Sequence, residues 1–202
     1  GAEGNGKSFL TTCVAKSIGE RYTHIANVEG LTEKFNGWLF TNLLIGINDV
    51  YTPEHKKEVL EILKPMITDS KQPKRIMNQD PSTGETFANF ILNSNHKNAI
   101  QFTDSARRWC ALYCAQQSKE DIERDGMGGR YMVDLYRWAN SGGYAIVNDF
   151  LRTYQIPDEF NPATSCHRAP MTSSTQEAVA SSRGSVEHLV LETIAEDGFI
   201  GM

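Results

Sequence analysis

The feature that most constrains this chain is its first eight residues, Gly1-Ala2-Glu3-Gly4-Asn5-Gly6-Lys7-Ser8. They match G-x-x-x-x-G-K-[ST], a loop whose backbone N–H groups cradle the phosphates of a nucleoside triphosphate. Gly1, Gly4 and Gly6 let the chain turn tightly and approach the phosphates without a side chain in the way. Asn5 completes the loop. Lys7 is placed to reach the β- and γ-phosphates, and Ser8 to put its hydroxyl on Mg²⁺. The helix that starts there aims its positive end at the same anion. Phe9, Leu10, Cys13, Val14 and Ile18 recur at i, i+3/i+4, which predicts a helix from Lys7 to about Gly19 with these residues as its buried stripe. The alternative is a glycine-rich turn capping an ordinary helix. A phosphate loop of this kind follows a buried strand, so the first strand of the sheet is expected upstream of Gly1.

Further along, His24 to Val28 reads as a short strand. Leu43-Leu44-Ile45-Gly46-Ile47 is a near-continuous apolar run, as in a parallel strand covered on both faces. It ends in Asn48-Asp49, and an acid at the carboxyl end of such a strand can hold Mg²⁺ and orient water; the other reading is an Asp that opens a turn. Thr52 and Pro53 mark a helix start, followed by an apolar stripe of Val59, Leu60, Ile62, Leu63, Met66 and Ile67. Residues 69–84 then predict a hairpin or extended loop with Lys71, Lys74 and Arg75 near its tip, either a solvated surface or a contact for a phosphate backbone. Phe87 to Asn95 reads as a second buried strand ending in polar residues, where Asn95 is placed to bond a water at the γ-phosphate. Ala99 to Phe102 reads as a further short strand. Arg107 and Arg108 are candidates to neutralise a transferring phosphoryl group, with a surface ion-pair cluster as the alternative.

The ordered set resembles superfamily 3 helicases, and most closely the helicase portion of phage and plasmid primase-helicases, relatives of the poxvirus-type replicative NTPases. Phe160-Asn161-Pro162 and Ala169-Pro170-Met171-Thr172 extend the resemblance to about residue 180. It implies an α/β P-loop NTPase fold of AAA+ type, a three-layer sheet with helices on both faces followed by a helical region. It implies ATP and Mg²⁺ as cofactors, with Gly6, Lys7 and Ser8 on the phosphates and metal, Asp49 as the Walker B acid and Asn95 as the sensor. Arg107 or Arg108 would be an arginine finger reaching a neighbouring protomer in a hexamer of like subunits. Lys74 and Arg75 would grip single-stranded DNA, with His96 contacting DNA or nucleotide, and a primase domain is expected upstream. One departure stands out: Asn48 occupies a position where these helicases commonly carry a second acid.

Organisation follows from these landmarks. Residues 1–118 read as the ATPase core, 119–160 as a helical extension, 161–184 as a Pro/Ser/Thr/Ala-rich linker, and 185–202 as the start of a further domain opened by a helix capped by Ser185. The aromatics around Tyr131, Tyr136 and Trp138 have helical spacing and read as core. The net charge of -5 argues against a uniformly basic nucleic-acid coat, so any contact with a polyanion is local. Four cysteines without a C-x-x-C pair read as reduced thiols rather than a zinc site, in a protein of the host-cell cytoplasm. No stretch reaches the ~20 apolar residues of a membrane span. The expected activity is an ATP-dependent DNA helicase in phage or mobile-element replication. The rivals are another P-loop DNA-handling ATPase, such as a loader or packaging motor, and a non-catalytic nucleotide- or DNA-binding assembly module.

Overall fold

The computed structural model describes residues 1–50, 56–97, 99, 102, 107–161, 163 and 169–182. In chain order its elements are α1 (Lys7–Ile18), β1 (Thr23–Ala26), α2 (Trp38–Thr41), β2 (Leu44–Ile47), α3 (Lys56–Thr68), β3 (Lys71–Lys74), β4 (Ser82–Glu85), β5 (Asn89–Leu92), α4 (Lys119–Arg124), α5 (Tyr131–Trp138), α6 (Tyr144–Thr153) and α7 (Ser173–Ser182). The helix start at Thr52-Pro53, the Ser185 helix and most of the strand expected at 99–102 lie outside the described residues.

The apolar run is the middle of a parallel sheet ordered β1-β2-β5. All four residues of β2 are buried, because each of its faces is covered. Ile45 and Ile47 point to one face, into a core with Leu31, Leu39, Val50, Val59 and Leu63, the last two from α3. Gly46 points to the other, where α1 lies so close that a Cβ at 46 would stand 2.8 Å from Thr11 Cγ2. This mixed α/β arrangement has helices on both faces of its sheet.

That approach explains a correction to α1. Of the expected stripe only Cys13 is buried: Leu10 is 62% exposed, Ile18 is on the surface, and the other buried positions are Thr11 and Ala15. A helix seated against a glycine of the sheet turns its small side chains inward. Its flank is covered by α6. There the Asn148 amide donates to Ser17 O and the Lys16 ammonium lies 5.3 Å from the Tyr144 ring centre.

The expected hairpin forms, with β3 and β4 antiparallel in the register Lys71↔Glu85 and Lys74↔Ser82. The pairing places Lys74 and Arg75 toward the turn but Lys71 at the root, where Ser70 O accepts from Thr86 N, so Lys71 is not near the tip. Asn36 anchors the ribbon: its amide donates to Pro73 O and its Oδ1 accepts from Arg75 N, both at 2.8 Å. Phe40 packs beneath Gly84 and carries the Lys74 ammonium 5.5 Å above its ring centre.

Beyond the sheet, α4 opens with a reciprocal capping box between Ser118 and Asp121. A π-helical turn at Ala139–Gly143, with Gly142 at φ 113°, then redirects the chain from α5 into α6. The aromatics of α5 are not core: Tyr131, Tyr136 and Trp138 are each about two-fifths exposed. Residues 161–184 are not purely a linker either. α7 buries Thr175, Ala178 and Val179, and Ser and Thr hydroxyls in and just before it pair with the backbone at Ala111 and Tyr113. Ala111 N donates to Thr175 Oγ1 and Tyr113 N to Ser174 Oγ, both at 3.0 Å, and Thr172 Oγ1 donates to Ala111 O at 2.6 Å. Hydroxyls that read as linker composition here satisfy backbone groups.

Candidate functional site

The loop between Gly1 and Gly6 wraps the start of α1. Gly4 and Gly6 take φ of 83° and 89°, a left-handed geometry that glycine adopts without strain. The loop is clipped to the segment before α4, where Gln116 O accepts from Ala2 N at 2.9 Å and from the Asn5 amide at 3.3 Å. Lys7 is folded back into this loop. Its ammonium donates to Ala2 O and Asn5 Oδ1, both at 2.8 Å, and reaches Gly1 O at 3.5 Å. Burial pulls its pKa below the usual lysine value, opposed by the negative fields of Cys114, Asp49 and Glu3. An ammonium held by neutral carbonyls and an amide is a cation placed for an anion.

Across from the loop, the carboxyl ends of β2 and β5 converge. Asp49 follows β2 with φ 52°, in the left-handed region that Asp and Asn tolerate. Asn93 follows β5, and it ties the two strand ends together. Its backbone N donates to Ile47 O at 2.8 Å and its carbonyl accepts from Val50 N at 2.9 Å. Its side-chain amide donates to Asn48 Oδ1 at 2.9 Å and to Thr11 Oγ1 on α1 at 2.8 Å.

Together these elements enclose an open pocket of about 310 Å³. Glu3, Gly4, Asn5, Gly6, Lys7, Ser8 and Phe9 line one wall, Asp49 with Asn93, Ser94 and Asn95 line another, and Met132 and Tyr136 of α5 close the rim. The Phe9 and Tyr136 rings meet edge to face with centroids 4.9 Å apart. Ser8 and Asp49 supply the oxygen donors that a hard cation such as Mg²⁺ takes alongside phosphate oxygens. Among the described residues there is no cluster of three or more His, Cys, Asp or Glu that would hold a metal by itself.

The structure thus gathers Gly4, Asn5, Gly6, Lys7, Ser8, Asp49 and Asn95 around one cavity, with Gly1 O at the Lys7 ammonium. Arg107, Arg108, Lys71, Lys74, Arg75 and His96 are not part of its lining. Arg107 is exposed and its carbonyl accepts from Ala169 N at 2.7 Å; the His96 backbone N donates to Ser94 Oγ at 3.0 Å. Sequence reading missed Asn93, Thr11, Met132 and Tyr136. Asn93 was visible only as one more polar residue beyond a strand, and Met132 and Tyr136 only as an i, i+4 pair. A second open depression of about 490 Å³, lined by His24, Ile25, Ala26, Asn27, Gly30, Glu33 and Trp38, contains none of the motif residues.

Comparison with known proteins adds four findings. Residues 1–108 match the model of a family described as a family of unknown function, DUF5906. The chain is 30% identical over 122 residues to a DNA primase-polymerase of Nitratiruptor phage NrS-1, covering 59% of this chain and 17% of that protein. Its fold matches the apo structure of the NrS-1 C-terminal region (305–718) with a TM-score of 0.69 at 18% identity, covering 100% of this chain and 49% of the other. The A form of that region matches with a TM-score of 0.61 at 17% identity, over 100% and 49% of the two chains. The chain spans about half the length of the solved structures it matches, and at this identity the likeness establishes the fold. Among the described residues no helix is long and apolar enough to cross a membrane.

Proposed function

The chain belongs to the DUF5906 family, and from that premise we propose that it is the P-loop ATPase core of a phage-type DNA-replication protein, a helicase domain of superfamily 3. The observation that carries the proposal is the Lys7 ammonium, held in a left-handed-glycine loop at the pocket that Asp49 enters from the end of the central strand. The similarity to a phage DNA primase-polymerase supports the replication context. The ribbon carrying Lys74 and Arg75 supports a contact with the backbone of single-stranded DNA.

In this reading the loop amides and Lys7 bind the β- and γ-phosphates of ATP, and Asp49 and Asn95 orient the attacking water. Ser8 and Asp49 would hold Mg²⁺ together with the nucleotide, and the ion would supply positive charge against the charge that develops on the phosphoryl oxygens. Met132 and Tyr136 offer an apolar rim against which the base can pack. Arg107 or Arg108, away from this chain's own pocket, serves the ATP of a neighbouring subunit in a ring, hexameric as in the helicases it resembles. The rival reading, a module that binds nucleotide without turnover, rests on Asn48 standing where a second acid is usual.

ATP hydrolysis measured with and without single-stranded DNA separates the two. The helicase reading expects DNA-stimulated turnover that Lys7→Ala abolishes and that Arg107→Ala/Arg108→Ala lowers on the order of a thousandfold, as for arginine fingers elsewhere. Nucleotide binding without turnover, or turnover indifferent to Lys7, refutes it.

A further inference from the structure

Four hydrogen bonds leave Asn93, and three of them end on the segment around Asp49. The backbone bonds to Ile47 O and Val50 N hold the two residues that bracket the turn, and the side-chain bond to Asn48 Oδ1 holds its first member. The fourth, to Thr11 Oγ1, runs to the face of α1 one turn beyond Lys7. Thr11 is 2% exposed, so the accepting end of this bond is shielded from solvent. A single side chain therefore links the helix that carries the phosphate loop to the turn that carries the acid.

We infer that Asn93 is a positioning residue, which holds the Asn48-Asp49 turn in register with the phosphate-loop helix. The inference rests on the ATPase reading above for its effect on catalysis, but the clamp itself is a property of the fold. Asp49 sits in a left-handed conformation that its neighbours must maintain. With Ile47, Asn48 and Val50 all tied to one residue, the carboxylate is aimed by its surroundings rather than by its own rotamer alone. The same clamp makes Asn48 intelligible. The amide at 93 points a donor at position 48, and an acceptor there, amide or acid, satisfies it.

Isosteric exchanges test this without opening a cavity. In Asn93→Asp the contacts survive, because the Asn48 amide can flip to donate and the Thr11 hydroxyl can rotate to donate. In Asn48→Asp they survive because the new carboxylate accepts from Asn93. The double variant places two carboxylates face to face at the 2.9 Å now spanned by a hydrogen bond, so the pair repels where wild type attracts. The measurement is kcat, KM for ATP and the Mg²⁺ concentration for half-maximal rate, on wild type, both single variants and the double, with Lys7→Ala as control. The double is expected to lose about tenfold in kcat beyond the product of the singles, with a raised Mg²⁺ requirement.

Additive effects on kcat and on Mg²⁺ dependence overturn the positioning role, as does coupling confined to the unfolding midpoint, which is what mere packing would give. If wild type shows no turnover that depends on Lys7, the ATPase reading fails by itself. The unfolding midpoints of the same four proteins then decide the clamp: non-additivity supports it and additivity removes it.

Discussion

At Gly46 a single added methyl group should be costly. An alanine Cβ there would lie 2.8 Å from Thr11 Cγ2 and 2.7 Å from Ile25 Cδ1, well inside the ~3.5–4.0 Å of carbon–carbon contact. The two neighbours differ in how far they can yield. Ile25 is 49% exposed and its tip can swing into solvent, whereas Thr11 is buried and its Oγ1 is held by Asn93. The clash therefore falls on Thr11 and pushes α1 off the sheet, at a cost of about 1–3 kcal/mol for overpacking. At about 2–4 °C per kcal/mol for a chain of this size, the melting temperature should drop by about 2–12 °C. Thr11→Ser supplies the decisive comparison, since it deletes Cγ2 and keeps the hydroxyl that accepts from Asn93. Alone it should destabilise by about 1 kcal/mol, the loss of one buried methyl. Combined with Gly46→Ala it should raise stability above that of Gly46→Ala alone, a reversal of sign. Calorimetry or urea unfolding of the four proteins reads this directly. The reasoning is refuted if Gly46→Ala changes stability by less than about 0.5 kcal/mol, the size of an ordinary surface substitution, or if Thr11→Ser adds its own loss to the double variant.

Two further outcomes follow from other parts of the fold. Burial holds the His24 imidazole below its usual pKa of 6.5, with Glu33 acting in the opposite direction. The unfolded chain thus takes up the proton first, so stability is intact above about pH 6.5 and declines as pH falls through that value toward the folded one. His24→Gln should flatten this decline in urea midpoints compared at about pH 7.5 and about pH 5.5, and parallel curves for the two proteins would count against it. Asn36→Ala removes both side-chain bonds that pin the ribbon at Pro73 and Arg75 and should loosen it by about 1–2 kcal/mol. Faster tryptic cleavage after Lys74 and Arg75, with the global unfolding midpoint little changed, is the expected result; unchanged cleavage rejects the anchor.

What could be read from the residues alone divides along a physical line. The glycine loop before α1 and the strand β2 were legible because each is a local pattern: glycines before Lys-Ser in one case, an unbroken apolar run in the other. The ribbon was legible from its turn residues, but its register was not, and register decides that Lys71 sits at the root. The inward face of α1 does not follow its hydrophobic pattern, because the partner surface is a glycine and selects for small size. α7 was hidden by composition, since Ser and Thr that look solvated are instead hydrogen-bonded to residues some sixty positions away in sequence. Asn93 was invisible for the same reason, as its meaning lies in Thr11 and Asn48, neither near it in sequence.

The backbone at Asp49 limits which experiments there are interpretable. A positive φ is accessible to aspartate and asparagine because a short polar side chain can bond to its own backbone; glutamate gains no such relief. Asp49→Glu preserves the charge and changes the conformational preference, so a rate defect in that variant would mix chemistry with main-chain strain. Asp49→Asn changes the charge and leaves the preference intact. Of the two exchanges, the one that looks less conservative on paper is the cleaner probe of what the carboxylate does.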